Sequence, residues 1–290
     1  MARWNPFPYE ADAYRYDHEA LRAAWARLHA GDAEACPDDD DVLQAWTLYH
    51  AGEFEAAVDA GLRTASPDGV TVANKAQAMQ ANYLERSECQ RFALFLEVVA
   101  RAESQVEEDP GNANAHYLLA YSLGRYAQGI SISKALQLGL GVRIKAALDT
   151  TIRLQPQHAD AHTALGAFHA EVIDTMGALL GRTQGASKDE GVSMFRTGLR
   201  LNPMSAIARM EYANGLVMLE GETKLRDAEK LYAEAAECVP LDAAERLHVE
   251  GARAELALCP PLRSFRHARR GGHCVASAFR YLPTTRGLPP

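Results

Sequence analysis

The stretch Pro156-Gln157-His158-Ala159-Asp160-Ala161-His162-Thr163-Ala164-Leu165-Gly166-Ala167-Phe168-His169 decides the fold. With Ala159, the third residue after the proline, as position 1, His162, Leu165, Gly166 and His169 fall at positions 4, 7, 8 and 11. Steps of three and four return to one side of an α-helix, so these four residues share a face. A small residue at position 8 lets a second helix approach closely, and larger ones at 7 and 11 fill the groove beside it. The same count from Pro110 gives His116, Leu119, Ala120 and Leu123; from Pro203 it gives Arg209, Tyr212, Ala213 and Leu216. Each proline stands where one helical hairpin ends, because proline cannot continue a helix. A lone hairpin leaves one face bare, so a chain built of such units stacks them into an array.

The return helices carry the complementary pattern. Gly191, Phe195 and Gly198 precede Pro203 at positions 20, 24 and 27, and Ala228, Tyr232 and Ala235 precede Pro240 in the same way. Two units are enlarged: Pro110 to Pro156 spans 46 residues and Pro156 to Pro203 spans 47, against a usual period of about 34. Each surplus lies between the paired helices and is apolar and glycine-punctuated (Ile130, Ile132, Leu136, Leu138, Leu140; Met176, Leu179, Leu180). Either these segments lengthen the helices and pack on each other, or they extend from one edge as a lip that binds.

Upstream, Val42–Tyr49, the turn Ala51-Gly52 and Glu53-Phe54-Glu55-Ala56-Ala57-Val58 form another hairpin, whose glycine reverses the chain. A less regular pair covers Val70–Glu85 and Ser87–Glu107, with Val98, Ala102 and Gln105 at the pattern positions. A helix is expected over Asp17–Ala30, and Leu241–Leu258 closes the array before Pro260-Pro261. The expected organisation is an aromatic extended cap over 1–16, broken by Pro6 and Pro8, a helical repeat domain over 17–259, and a basic, disordered tail over 260–290.

Charge is unevenly spread. Residues 261–290 hold six Arg and no acid, leaving 24 basic against 38 acidic residues in 1–260. An acidic body excludes nucleic-acid binding through the main domain. The five cysteines are scattered without a CxxC, which excludes a zinc ribbon or thioredoxin motif and suits a reduced setting. No apolar leader or run of 18 apolar residues is present, so the expected location is cytoplasmic.

Together these strings resemble a tetratricopeptide repeat (TPR) protein over roughly residues 40–258. Leu123–Ser131, His158–Val172 and Leu201–Leu216 also resemble an uncharacterised group of bacterial TPR proteins, and the enlarged repeats are remotely similar to the regulator of microtubule dynamics family. The Trp-Leu-Glu-Arg-like string of that family's insertion is replaced by Val172-Ile173-Asp174-Thr175-Met176. The resemblance implies an all-α, right-handed α-solenoid of about five hairpins, and a non-catalytic scaffold for a protein or peptide partner, with no cofactor.

Candidate binding residues flank the insertions and the inward helices: Arg125, Tyr126, Gln128, Glu171, Asp174, Arg209, Glu211 and Asn214. Arginine, tyrosine and asparagine there supply contact area and hydrogen bonds to an extended peptide in the concave groove. Self-association through the apolar edge is a further possibility. The alternative is a small-ligand or metal site built from His158, His162, His169 and Glu171, since the i, i+4 spacing of His158 and His162 suits a metal pair. Against it, His162 and His169 occupy positions 4 and 11, which pack against the partner helix. Asp38–Asp41 lacks the spacing of a calcium loop and reads as a helix cap.

Overall fold

The computed structural model describes residues 4–258, which contain helices and no strand. After the single helix α1 (His18–Leu28), consecutive helices pair as α2 (Asp40–His50) with α3 (Phe54–Arg63), α4 (Pro67–Met79) with α5 (Glu88–Glu108), and α6 (Ala113–Gln128) with α8 (Leu140–Leu154), the short α7 (Ile132–Gln137) standing between the last two. The long α9 (Ala159–Gly181), broken at Gly177, pairs with α10 (Lys188–Leu201), and α11 (Ala206–Glu220) with α12 (Leu225–Ala236); α13 (Ala243–Leu258) closes the series. The architecture is an α-solenoid.

The starts of these helices are chemically explicit. Asp17, Asp39, Ser66, Ser87, Asn112, Ser131, Ser187 and Ser205 each accept a hydrogen bond from a first-turn N–H, satisfying a donor that the helix itself cannot. Asp39 within the acidic run is thus the cap of α2, accepting from the N–H groups of Asp41 and Val42 at 2.7 and 3.3 Å.

The seam between α9 and α10 is built from the pattern positions. A methyl group placed on Gly166 would meet the Phe195 ring at 2.9 Å, inside van der Waals contact, so only glycine lets the two helices approach this closely. Phe195 is buried there and stacks on Tyr212 of α11 at 5.3 Å, carrying the packing to the next unit.

The irregular pair is a hairpin too, held by amides. Val98, Ala102 and Gln105 of α5 are all buried. Asn74 Nδ2 donates to Gln105 Oε1 at 2.8 Å, Gln105 Nε2 donates to the Pro67 carbonyl at 2.9 Å, and Arg101 donates to Asn74 Oδ1 and Gln77 Oε1 at 2.7 Å each. A five-residue π-turn, Gln80–Leu84, continues α4 toward Glu85.

The solenoid closes on itself. At the start of α13, Asp242 meets His50 of α2 and Glu245 pairs with Arg27 of α1 at 2.7 Å; one residue earlier, the Leu241 carbonyl accepts from the Tyr16 hydroxyl at 2.8 Å. The described residues before α1, 4–17, hold one 3-10 turn, Asp12–Tyr14, and no α-helix, and Trp4, Phe7 and Tyr16 pack on the first hairpins. No helix among the described residues is long and apolar enough to cross a membrane. The expected basic tail over 260–290 lies outside the described residues.

Candidate functional site

The inward helices enclose a cavity of about 510 Å³ whose lining runs from α2 through α4, α6, α9 and α11 to α13. An open concave trough is expected from repeats alone; the return of α13 to α1 and α2 turns that trough into a chamber. At its buried end stands a chain of polar contacts. Asp242, which caps α13 by accepting from the Glu245 N–H at 2.7 Å, also receives His50 Nδ1 at 2.7 Å. His50 Nε2 faces His29 Nε2 at 3.3 Å, His29 Nδ1 lies 3.0 Å from Asp32, and Asp32 receives the Lys75 ammonium. Lys75 sits 5.5 Å from the centre of the Tyr49 ring and 5.6 Å from that of Trp46.

Burial sets the charge states. It would raise the Asp32 carboxyl, but Lys75 and His29 outweigh it and hold the group well below the usual carboxylate range. Burial also opposes ionisation of Asp242, yet its hydrogen bond from His50 holds it low. His29 is pushed down to about 4 by burial, against the pull of Asp32. Asp160 of α9 is compensated less: desolvation lifts it to about 6 although Lys75 pulls the other way. Its backbone N–H donates to the Gly31 carbonyl at 2.9 Å, but its carboxylate has no hydrogen bond or ion pair among the described residues and lies where a side chain on Gly31 would stand.

Along the wall, Tyr117, Tyr121 and Arg125 follow one another at i, i+4 and i+8 on α6. The Arg125 guanidinium stands 5.1 Å from the centre of the Tyr121 ring and pairs with Glu211 Oε1 of α11 at 3.2 Å. Gln128 donates to Glu171 of α9 at 2.7 Å, and burial together with Glu211 raises Glu171 to about 7. The lining also carries apolar side chains of the two enlarged units, Ile130, Ile132 and Leu136 from one and Val172 and Met176 from the other.

The eight candidate binding residues divide accordingly. Arg125, Gln128, Glu171, Asp174 and Glu211 line one chamber. Tyr126 packs edge-on against Phe92 at 5.7 Å, outside it. Arg209 is spent on its own helix start, donating to the Pro203 and Ser205 carbonyls at 2.6 and 3.1 Å, and on Glu234 at 3.5 Å. Asn214 accepts from the Tyr232 hydroxyl at 2.7 Å within the α11–α12 hairpin.

The histidine set does not converge, which corrects the metal alternative. His158 caps α9, its Nδ1 accepting from the Ala161 N–H at 3.0 Å while Nε2 meets Asn114 Oδ1 at 3.0 Å. His162 Nε2 lies 3.1 Å from the Pro156 carbonyl, and His169 Nδ1 accepts from the Ser187 N–H at 3.2 Å. Glu171 turns instead to Gln128. No group of three His, Cys, Asp or Glu among the described residues could hold a metal ion.

Sequence reasoning missed Asp32, Tyr49, Lys75, Tyr83, Asp160, Asp242 and His248, all of which line the chamber. The spacing of Tyr117, Tyr121 and Arg125 is the one local signal that points to it, since it places three large polar side chains on one face of α6.

A model of the family described as regulator of microtubule dynamics protein 1-3 matches residues 62–251. The crystal structure of a thermophilic TPR protein from Thermus thermophilus superposes with a TM-score of 0.53 at 17% identity, covering 74% of this chain and 98% of that one. At this identity the likeness speaks for the fold. No curated protein matches.

Proposed function

This chain belongs to the regulator of microtubule dynamics protein 1-3 family, and we propose that it acts as a non-catalytic protein-interaction adaptor that engages its partner at the edge formed by the two enlarged repeats. One observation carries this reading. Ile132, Leu136, Leu138 and Val142 are 46–61% exposed on one insertion, and Leu179 and Leu180 are 80% and 56% exposed on the other. Soluble chains rarely leave such a cluster uncovered unless something docks on it. The TPR-like fold supports the reading, because stacked hairpins present extended surfaces for binding. The partner is a protein or peptide whose apolar side chains cover the edge, with the exposed Gln128 and Asp174 as polar contacts beside it.

The test compares the full chain with a Leu136→Asp/Leu179→Asp variant of matched helicity in affinity capture and in sedimentation. A protein retained by the parent chain and lost by the variant supports the adaptor. Equal retention overturns it. A monomer–dimer equilibrium that the variant abolishes assigns the edge to a second copy instead.

A further inference from the structure

Seven carboxyl-bearing residues line the chamber against two permanently cationic side chains, Lys75 and Arg125. Both cations are committed, Lys75 to Asp32 and Arg125 to one oxygen of Glu211. The other oxygen, Glu211 Oε2, is buried with no hydrogen-bond partner, on a residue that is only 7% exposed. The Asp160 carboxylate, also on the lining, has neither a hydrogen bond nor an ion pair among the described residues. A buried acceptor left unmatched is costly, and native interiors rarely keep one that nothing answers. Glu211 Oε2 is such an acceptor on the chamber wall, with the half-buried Asp160 carboxylate on the same lining, so what answers it comes from beyond the described residues.

We propose that the chamber is a receptor for an organic ammonium group attached to an apolar body. Three features of the lining select this chemistry. Its carboxylate excess repels anions and attracts cations. Tyr83 and Tyr117 add aromatic rings to the lining beside Tyr49 and Tyr121, whose rings already carry Lys75 and Arg125, and an ammonium is attracted to ring faces. The rest of the lining, Met79, Ala164 and Phe168 among it, is apolar and suits a hydrocarbon body. The volume of about 510 Å³ exceeds what a bare ion needs and falls within the range of small-molecule sites. The carboxylates are spread along the chamber, so they serve one charged head at a time instead of chelating a metal. Desolvation raises Asp160 to about 6, and an ammonium placed beside it would pull that value down and favour the ionised form.

The same head group can arrive on a free amine or on the lysine of a peptide, and the chamber inference stands without the edge inference above. Isothermal titration of the full chain at neutral pH with 4-phenylbutylamine, 4-phenylbutyrate and a blocked Leu-Leu-Lys tripeptide separates the cases. The amine is expected to bind at one site and the butyrate not at all; Asp160→Asn, which keeps the shape and removes the charge, should weaken the amine about tenfold or more. Glu211→Gln supplies a second reading if Asp160→Asn does not fold. Tripeptide binding tighter than the amine assigns the site to a peptide lysine; the reverse order assigns it to a free amine. Butyrate binding as well as the amine, an amine affinity weaker than about 1 mM, or variants that bind the amine unchanged would overturn the proposal.

Discussion

Phe195 in the α9–α10 seam and His50 at the ring closure are each 1% exposed, yet opposite physics buries them. Phe195 lies between Gly166 and Tyr212 and is held by shape. His50 lies between Asp242 and His29 and is held by hydrogen bonds and charge. The seam joins residues one hairpin apart, repeated along the chain. The closure joins residues 192 positions apart and occurs once. A solenoid is a sum of nearest-neighbour terms, so a seam variant should lose its own interface, whereas a closure variant should release the ends from each other and open the chamber.

The largest effect is expected from Phe195→Ala. Removing a fully buried ring costs about 3–5 kcal/mol, read as a fall in the urea midpoint and independent of salt. A loss under about 1 kcal/mol would mean that the seam collapses freely and is not held by shape. Asp242→Asn comes next. It keeps a capping side chain but removes the charge that faces His50, at a cost of about 1.5–3 kcal/mol. The sharper reading is local: amide exchange in α13 and in Tyr16 should quicken while α9 and α10 stay protected. Uniform quickening along the chain would show the two regions to be one cooperative unit.

Gly166→Ala tests the seam from the other side. The added methyl lands 2.9 Å from the Phe195 ring, and overpacking costs about 1–3 kcal/mol. Combined with Phe195→Ala, the cost should vanish, because the clash and the ring leave together. Persistence of the cost in the double variant would place its origin elsewhere.

How much of this was legible follows from the same contrast. The seam repeats, so Leu165, Gly166 and Phe195 state their roles through spacing, and the prolines mark every unit from Pro110 onward. The α4–α5 hairpin was faint because Asn74, Gln77, Arg101 and Gln105 hold it, and a ladder of amides leaves no apolar period to read. The closure was invisible. Nothing local to His29, Asp32 or Asp242 says that they meet, since the curvature that brings α13 to α2 accumulates in small steps over all the hairpins between. Five of the eight proposed binding residues line the chamber because they lie on inward faces, which spacing reveals. Tyr126, Arg209 and Asn214 serve their own hairpins, which residue type alone does not tell.

The smallest effect at neutral pH, and the most diagnostic in acid, belongs to His158. This side chain stands where the other capped helices carry Ser, Asn or Asp, and it caps α9 only while Nδ1 is free to accept from the Ala161 N–H. Burial lowers its pKa from 6.5 to about 4. Between those values the unfolded chain holds a proton that the folded chain does not, so the stabilisation is complete above about pH 6.5 and declines as the pH falls toward 4. His158→Asn keeps a side-chain cap that does not titrate. At pH 7 the variant should lie within about 1 kcal/mol of the parent chain, and its stability should fall less steeply between pH 6.5 and 4, measured by urea titration at each pH. Parallel curves would mean that His158 keeps its proton in the fold, and α9 would then be capped by something other than a neutral imidazole. A flatter curve confined to this variant, with Asp242→Asn still as steep as the parent chain, would place that share of the acid sensitivity at the start of α9, where His158 bonds the Ala161 N–H and Asn114 of α6, and leave the rest to groups such as the buried His29 of the closure.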